Sequence, residues 1–583
     1  MIVQLPKLQA GSLRSELVVF PSREHKKIVA YLDHAPGGPA APYVVMAPKY
    51  GETKKNNLQL AHTLAVNGVN VLRFDHTNHV GESEGEISQF TLPGAVQDIL
   101  AAFDYLEQIH GVKRAGLIAN SLSCRMAIRA TALDARISYL INLVGVVNVQ
   151  HTLTIVYHED VVANHLAGKQ WGVNDVLGFD IDFEHFLSAL ASSGLHTLKG
   201  TCADLDEINV PVAFLAAQND AWVELEDVRQ AVGHAKQGRL LLIKDSMHEV
   251  RENPEAAEMT FRLLVQLCLG WAHGREFAFE ELVVPDKRSF MRQNKIERDR
   301  LRRANPSNQT EVEFWSHYLD KYEFFESVDV YQYYLNLVGD LLGEFQPGEV
   351  ALDAGCGNGL FGVWALRQLL SAQESPPEPP PLYVGIDLTN QGLLDSMQKH
   401  RSVHRSPAVG KGGLRGDMGF LYARMDLDRF GQVNPGGMGD ASREEGSGAI
   451  EASEPVIDFA TATFDKICCS LLLSYLKKPE RLLRGLHRVL RPGGKIVVSS
   501  MKPFCDLSLI YRRYAEGHRT DQEIESARDL LRAAGKIKVK EEQGYYTFYS
   551  AEELSEMMTA AGFIHLQTFA SFGNQAVVVR AEK

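Results

Sequence analysis

The chain has 583 residues, of which 45% are apolar and 23% are charged, and its formal net charge at pH 7 is −13. This length is too great for one hydrophobic core, so two or three domains are predicted. The acidic balance argues against nucleic acid as the main partner, because phosphate binding requires clustered Lys and Arg side chains.

The sequence also argues against a membrane or secreted protein. The N-terminus shows no basic leader followed by an unbroken apolar run, so no signal peptide is expected. The longest apolar stretch, 137–149, is far shorter than the about 20 residues that a helix needs to span a bilayer. The seven cysteines show no CxxC pair and no metal-ligand spacing. We therefore expect a cytoplasmic protein with reduced thiols and no metal site.

Residues 1–275 alternate short β-branched runs with amphipathic segments of helical length. Such alternation predicts a parallel α/β sheet with helices on both faces. Strands are predicted at 43–46, 69–74, 115–119, 139–144, 212–216 and 240–243, with helices at 58–67 and 92–109.

A candidate nucleophile lies where the predicted strand 115–119 runs into the next helix. Ser121 has small residues two positions away on each side, Ala119 and Ser123, which suits the sharp turn of a nucleophile elbow. The usual elbow has glycines at these two positions. Ser123 is a competing hydroxyl, so the choice of serine has an alternative.

An acid and a histidine follow later strands in the order that such a serine requires. Asp220 comes after the strand 212–216, and His248 comes after the strand 240–243. The order Ser, Asp, His is that of an α/β hydrolase. His248 would accept the proton of Ser121, and Asp220 would orient the imidazole and stabilise its cation.

The oxyanion hole and the neighbouring polar loop can be predicted from the same strand ends. The amide of Leu122 begins the helix after the serine, and a second donor is expected near Lys49 or Tyr50, after the strand 43–46. Asp75, His76 and His79 also follow a strand. They are interpreted as residues that order the following loop.

Four segments of this region resemble the acyl-ACP thioesterases, also called acyl transferases, of bacterial bioluminescence operons. The resemblance implies an α/β-hydrolase fold and an acyl-thioester substrate, carried on acyl-carrier protein or coenzyme A. It also implies that Ser121, Asp220 and His248 are the nucleophile, the acid and the histidine. The segments are RFDHTNHVGESEGEISQFT (73–91), IANSLSCRMA (118–127), LVGVVNVQHTL (143–153) and AAQNDAWV (216–223).

Residues 276–345 are interpreted as a linker and a helical segment. Their aromatic side chains recur at helical spacing, which is typical of core packing, and the basic stretch 287–303 is interpreted as solvated. Two later stretches, 371–381 and 431–455, are predicted to be surface insertions, because their composition cannot bury enough apolar area to offset chain entropy.

A second α/β alternation covers residues 346–583 and begins with a strand and a glycine loop. Gly355, Gly357 and Gly359 would let the backbone approach a bound nucleotide above the start of the following helix. Asp387 ends the next strand, where a carboxylate suits two ribose hydroxyls. Asp426 is the candidate partner of the adenine amino group, although Asp428 is nearby.

The loop form D-x-G-x-G-x-G, which begins at Asp353, resembles motif I of class I methyltransferases. The segment FDKICCSLLLSYLKKPERLLRGLHRVLRPGGKIVVSS (464–500) resembles a later motif of the same superfamily. The resemblance implies a Rossmann-like fold and S-adenosylmethionine as the cofactor, whereas a dinucleotide-binding domain is the alternative. Position 474 is Ser where several related small-molecule methyltransferases carry His, so the methyl acceptor stays open.

The leading hypothesis is a bifunctional α/β protein with an α/β-hydrolase domain at 1–275 and a methyltransferase domain at 346–583. The first would cleave or transfer acyl groups from a thioester. The second would methylate a small molecule, for which the released fatty or polyketide acid is one candidate. The alternative is a methyltransferase whose hydrolase-like part binds a substrate or a carrier without catalysis.

Overall fold

The computed structural model describes residues 14–283, 315–316, 328–372, 379–404, 418–428, 457–517, 520–542 and 544–583. The basic stretch 287–303, the insertion 431–455, most of the linker and the centre of the insertion 371–381 lie outside these residues. Contacts divide the chain into two compact units. The first comprises Met1–Asp299 and Asp506–Glu542, and the second comprises Arg300–Cys505 and Gln543–Lys583.

The first unit is built on an eight-stranded sheet and a separate hairpin. Its strands are β1 (Arg14–Pro21), β2 (Lys27–His34), β3 (Tyr43–Ala47), β4 (Asn70–Phe74), β5 (Ala115–Asn120), β6 (Ile137–Leu143), β7 (Val173–Val176), β8 (Phe179–Asp182), β9 (Val212–Ala217) and β10 (Gly238–Ile243). The sheet order is β1-β2-β4-β3-β5-β6-β9-β10, and β7 pairs with β8. β2 runs antiparallel to both β1 and β4, whereas every other pair of the large sheet is parallel.

Helices connect these strands. They are α1 (Leu58–Val66), α2 (Leu92–His110), α3 (Ser123–Leu133), α4 (Val149–Tyr157), α5 (Val161–Leu166), α6 (Phe183–Ser193), α7 (Leu198–Glu207), α8 (Leu225–His234) and α9 (Pro254–His273). Local sequence sets their ends. In α2, for example, the Thr91 side chain accepts from the amide of Gly94, and Gly111 ends the helix in the left-handed conformation.

The strand order and the buried strands identify an α/β-hydrolase fold. Central strands are covered on both faces, as Val44, Leu117 and Ile141 illustrate with no exposed surface. The six strands and two helices predicted in this region are confirmed, and their ends differ by at most two residues from the prediction.

The second unit has a seven-stranded mixed sheet. In chain order its first elements are α10 (Asp329–Leu342), β11 (Val350–Ala354), α11 (Leu360–Ala372), β12 (Leu382–Asp387), α12 (Asn390–His404), β13 (Gly419–Arg424), β14 (Phe464–Cys469), α13 (Pro479–Val489) and β15 (Leu490–Met501). Two further helices, α14 (Ser508–Ala515) and α15 (Asp521–Glu542), belong to the first unit. The second unit then ends with α16 (Ala551–Ala560), β16 (Ile564–Ser571) and β17 (Ala576–Glu582).

The sheet order β13-β12-β11-β14-β15-β17-β16 identifies the Rossmann-like methyltransferase fold. β17 lies between β15 and β16 and runs antiparallel to both. Leu482 and Leu486 of α13 pack with Ile467 and Val498 in the core on one side of this sheet. Within the described ranges, no helix combines the length and the apolar composition that a membrane crossing requires.

Candidate active sites

Ser121 occupies a strained turn between β5 and α3. Its φ is 57°, in the left-handed region that residues with side chains rarely adopt. The turn is held by its backbone, since the Ser121 amide donates to Leu143 and its carbonyl accepts from Val146. Ala119 and Ser123 are buried on either side. Small side chains other than glycine therefore fit this elbow.

Ser121, His248 and Asp220 form one hydrogen-bonded chain. Ser121 Oγ lies 2.7 Å from His248 Nε2, and His248 Nδ1 lies 2.8 Å from Asp220 Oδ2. A carboxylate only accepts, so Nδ1 donates to Asp220, and the lone pair of Nε2 faces the Ser121 hydroxyl. This arrangement can take a proton from the serine as it attacks.

The candidate catalytic acid, Asp220, is held by its own loop. Asp220 Oδ1 accepts from the amide of Trp222 at 2.9 Å and from that of Val223 at 3.1 Å. Both amides bind the same oxygen, which leaves Oδ2 for His248. The side chain is only 5% exposed, so water competes little for it.

The two predicted oxyanion donors follow neighbouring parallel strands. Ala47 of β3 is in register with Ala119 of β5, and these strands end just before Tyr50 and Leu122 respectively. Their backbone amides therefore belong to loops at the same edge of the sheet. Leu122 also precedes the first turn of α3, whose dipole favours negative charge near Ser121.

The competing hydroxyl of Ser123 has a different partner. Its Oγ donates to the carbonyl of Pro48 in the loop after β3. This bond connects the elbow to the loop that carries Tyr50. Because the Ser123 hydroxyl donates its proton to a carbonyl, whereas the Ser121 hydroxyl faces His248, Ser121 is the better candidate nucleophile.

His79 holds the loop that carries Tyr50. Nε2 of His79 accepts from the amide of Gly51 at 3.1 Å, and the rings of Tyr50, Phe90 and His79 pack together. Burial, with a smaller effect of the neighbouring His76, lowers the pKa of His79 to about 3, so His79 is a neutral acceptor. Burial likewise raises the pKa of Tyr50 well above its usual value.

Asp75 and His76 order the polar loop after β4, as the sequence predicts. Asp75 accepts from the backbone and the ammonium group of Lys54, each at 2.6 Å, and from the amide of Glu82 at 2.8 Å. His76 contacts Asp98 at 3.3 Å. These hydrogen bonds hold the loop in place, and neither side chain belongs to the hydrogen-bonded chain of Ser121, His248 and Asp220.

The glycine loop of the second unit needs glycine at each predicted position. Gly355, Gly357 and Gly359 have φ values of 78°, 51° and 82°. A Cβ on Gly355 would lie 2.9 Å from Leu472, and one on Gly359 would collide with Ser396. The loop can therefore present backbone amides closely to a ligand.

Asp353 is a buried carboxyl at the end of β11. Tyr383 donates to its Oδ2 at 2.6 Å. Burial raises the pKa of Asp353 to about 7 and the nearby Asp387 adds to this, against hydrogen bonds from Tyr383 and Cys468. The side chain is therefore partly protonated near neutral pH.

Asp387 ties the end of β12 to the glycine loop. Its Oδ2 accepts from the amide of Gly357 at 2.9 Å, and its Oδ1 accepts from the amide and the hydroxyl of Thr389. A carboxylate has about four acceptor positions, so one remains for a ligand hydroxyl.

One cavity brings together five of the six predicted cofactor residues. Asp353, Gly355, Gly357, Asp387 and Asp426 all line it. The sixth, Gly359, packs closely on α12 through Ser396.

Two further polar residues line this cavity. Burial raises the pKa of Asp428 to about 6, and its Oδ1 accepts from the amide of Lys477 at 2.8 Å. Asn358 is 3% exposed, and its Nδ2 has no hydrogen-bond partner among the described residues. An unpaired buried donor beside a glycine cradle fits a polar nucleotide-like ligand.

Aromatic side chains form another part of the cavity wall. Trp315, Tyr331, Tyr475 and Tyr546 line it, and the Trp315 and Tyr475 ring centroids are 4.5 Å apart. The sequence interpretation of the aromatic segment as core therefore omitted a role in the cavity for Trp315 and Tyr331. Ser474 is buried and lies 2.8 Å from the hydroxyl of Ser500.

Sequence reasoning left the roles of two site residues incomplete. It assigned His79 to ordering the loop that follows its strand, but the contact of His79 with Gly51 depends on how two loops pack. Asn358 occupies a variable position of the glycine motif, where only its buried, unpaired amide reveals it. Among the described residues, no cluster of His, Cys, Asp or Glu could hold a metal ion.

Comparison with protein families gives one match in each half of the chain. An acyl transferase family model matches residues 42–257, and a methyltransferase domain model matches residues 327–568.

Several bacterial acyl transferases are similar to the first half. The Photobacterium phosphoreum protein is 31% identical over 212 residues, which are 36% of this chain and 69% of that protein. The Vibrio harveyi protein is 31% identical over 219 residues, which are 36% of this chain and 68% of that protein. Among solved structures, Est1E from Butyrivibrio proteoclasticus with bound ferulic acid is 18% identical, with a TM-score of 0.36 over 44% of this chain and 98% of that one.

Proposed function

Because the chain belongs to the acyl transferase family through residues 42–257 and carries a methyltransferase domain at 327–568, we propose a bifunctional enzyme. Its first unit transfers acyl groups from a thioester through Ser121. Its second unit transfers the methyl group of S-adenosylmethionine to a small molecule.

The observation that carries the first activity is the chain Ser121–His248–Asp220. In acylation, Ser121 Oγ attacks the thioester carbonyl while His248 Nε2 takes its proton. Asp220 stabilises the imidazolium through Nδ1. The amides of Leu122 and Tyr50 would donate to the oxyanion as the carbonyl carbon becomes tetrahedral.

Collapse of the tetrahedral intermediate completes acyl transfer to the enzyme. The carbon–sulfur bond breaks, and His248 returns its proton to the leaving thiolate. Water or another hydroxyl then attacks the acyl-Ser121 ester with His248 as the base, which frees the serine. The thiol carrier is an acyl-carrier protein or coenzyme A by similarity to the acyl transferases.

The second unit would hold S-adenosylmethionine in the cavity beside the glycine loop. Asp387 offers an acceptor to the ribose hydroxyls, and Asp426 or Asp428 to the adenine amino group. Asn358 Nδ2 supplies a donor. When bound, the cofactor supplies an electrophilic methyl group on sulfur.

The chain's own contribution to methyl transfer is alignment of the acceptor. The aromatic wall of Trp315, Tyr331, Tyr475 and Tyr546 gives an apolar surface on which the acceptor would lie. Position 474 carries a serine, whose neutral hydroxyl is a very weak base, and this hydroxyl is hydrogen-bonded to that of Ser500. An acceptor that needs no deprotonation, such as a carboxylate, suits this site. The acid released at Ser121 is the first acceptor to test.

Mass spectrometry of products from acyl-carrier protein and coenzyme A thioesters, with and without S-adenosylmethionine, tests both activities. Ser121→Ala should lower acyl release at least about 10³-fold and leave S-adenosylmethionine binding unchanged. Asp387→Ala should weaken cofactor binding and leave acyl release unchanged.

Three outcomes would reject parts of this proposal. If Ser121→Ala releases acyl groups at the parent rate, Ser121 is not the nucleophile. If the parent chain binds acyl thioesters without turnover, the first unit is a non-catalytic binding module. If Asp387→Ala transfers methyl groups at the parent rate, the assignment of Asp387 to the cofactor site is wrong.

A further inference from the structure

One part of the first unit is remote from the rest of it in sequence. Residues Asp506–Glu542 follow β15 and precede α16, yet their contacts group them with Met1–Asp299. They contain α14 and α15, which pack against each other. We call this part of the chain the 506–542 insertion.

The insertion contacts the loop that carries the catalytic acid. The ring centroids of Tyr511 and Trp222 are 6.2 Å apart, and Arg512 forms an ion pair with Glu224. The amide of Trp222 is one of the two donors that hold Asp220. α14 therefore packs on the loop whose amides orient the acid.

The insertion also contacts the loop that carries the catalytic histidine. Glu249 follows His248 directly, and its amide donates to Asp506 Oδ2 at 3.0 Å. Lys538 Nζ of α15 lies 3.0 Å from Glu249 Oε2. The same Oε2 lies 3.0 Å from Lys49 Nζ, in the loop of the predicted oxyanion donor.

Glu249 is therefore a buried carboxylate shared by several cations. Arg251 Nε lies 2.6 Å from its Oε1, and Arg251 also bonds Glu52. Burial opposes the charge of Glu249, but Arg251, Lys49 and Lys538 outweigh burial and hold its pKa well below the usual range. A buried charge without its partners is costly, so this cluster is sensitive to the loss of one cation.

A third contact joins α15 to the hairpin of β7 and β8. A Cβ on Gly178 would lie 2.6 Å from the carbonyl carbon of Gly535, so the two backbones touch. The next residue, Phe179, packs its ring 5.8 Å from that of Tyr50. The insertion therefore contacts the loops of the acid and of the histidine directly, and it is linked to the Tyr50 loop through Phe179.

We propose that the 506–542 insertion is a part of the acyl-transfer site, with Lys538 as a positioning residue that acts through Glu249 on His248 and Lys49. The inference rests on the proposed acyl transfer at Ser121. It means that residues within the methyltransferase half of the sequence set the rate of acyl chemistry in the other half.

The physical effect of Lys538 is to neutralise and anchor Glu249. Without it, the carboxylate keeps Lys49 and Arg251 and is drawn toward them, which moves the His248 backbone. The imidazole is then displaced from Ser121 Oγ and Asp220 Oδ2, and proton transfer from the serine becomes slower.

The test compares acyl release by the full chain and by Lys538→Met, with Lys199→Met, an exposed lysine of α7 outside the insertion, as the matched control. Lys538→Met should lower kcat at least about 10-fold and change KM less than about threefold, because geometry at the reacting atoms changes more than binding. Lys538→Arg should recover most of kcat, and Lys199→Met should match the parent.

A second background, Glu249→Gln, separates loss of the Lys538–Glu249 ion pair from general destabilisation of the fold. In a chain that already carries Glu249→Gln, loss of Lys538 should cost much less, because the buried charge is gone. The same cost in both backgrounds, or the parent kcat in Lys538→Met, would overturn the inference. Ser121→Ala in the same assay distinguishes failure of the Lys538 hypothesis from failure of the acyl-transfer proposal. Full activity in Ser121→Ala would contradict acyl transfer through Ser121 itself.

Discussion

The amide of Gly51 donates to Nε2 of His79, and this bond connects two loops that come from different strands. His79 is neutral, because burial lowers its pKa to about 3. A neutral imidazole keeps the lone pair that the amide needs. The bond thereby fixes the backbone next to Tyr50, whose amide is the proposed second oxyanion donor and must be in place before reaction.

Replacing His79 should slow acyl release without changing the nucleophile. We expect His79→Leu to lower kcat roughly 10- to 100-fold, the usual result of a small displacement of a catalytic group. His79→Gln, whose side-chain oxygen can accept from Gly51, should recover part of the rate. Steady-state kinetics with the exposed His185→Leu as a control check this. Parent activity in His79→Leu would show that the bond has no role in the reaction.

Ser123→Ala separates the two candidate nucleophiles. The variant should keep acyl release within about tenfold of the parent, because Ser121 retains His248. It should lose about 1 to 3 kcal/mol of stability, since the buried Pro48 carbonyl loses its donor. Denaturant unfolding and acyl-enzyme trapping measure the two effects. A covalent acyl group on Ser123 in the parent would contradict the assignment.

Asp220→Asn tests the orientation of the histidine with little change of shape. An amide presented to His248 Nδ1 favours the wrong tautomer, so kcat should fall about 10³- to 10⁴-fold. The backbone donors Trp222 and Val223 still find an oxygen at this position. Intact melting behaviour with lost activity is the expected result. An activity loss below tenfold would remove Asp220 from the catalytic chain.

Much of the fold could be predicted because both halves have strong local patterns. Alternation of β-branched runs and amphipathic segments predicted the strands around Ser121, and the chain order of Ser, Asp and His follows the order of strands. The glycine loop likewise predicted the cavity that contains Asp353 and Asp387.

Long-range contacts could not be predicted in this way. The helices of 506–542 lie in sequence between two strands of the second unit, and nothing local says that they pack on the first. The ion pair of Lys538 with Glu249 joins residues far apart in sequence, and the Gly51–His79 bond depends on loop packing. These contacts depend on tertiary structure, for which a single sequence carries no periodic signal.

Asn358→Asp should weaken binding of S-adenosylmethionine to the second unit. The change keeps the shape of the side chain but replaces the unpaired donor Nδ2 with an acceptor, which would repel ligand acceptors. We expect the dissociation constant to rise at least about tenfold, as for loss of one buried polar contact. Isothermal titration checks this, with the exposed Asn574→Asp as the charge-matched control. Equal affinity in both variants would place Asn358 outside the ligand contacts.

The buried carboxyl of Asp353 should make the stability of the second unit depend on pH. Its pKa is raised from 3.8 to about 7 by burial, so the folded unit holds a proton that the unfolded chain releases above about pH 4. The free energy of unfolding therefore falls as pH rises toward 7, by at most about 1.4 kcal/mol per pH unit. The side chain of Asp353→Asn has no proton to release. Between pH 5 and 7 the free energy of unfolding of the parent should therefore fall more than that of Asp353→Asn. Hydrogen exchange of β11 in both proteins, without cofactor, measures this difference, and parallel pH curves would show that Asp353 is ionised when folded.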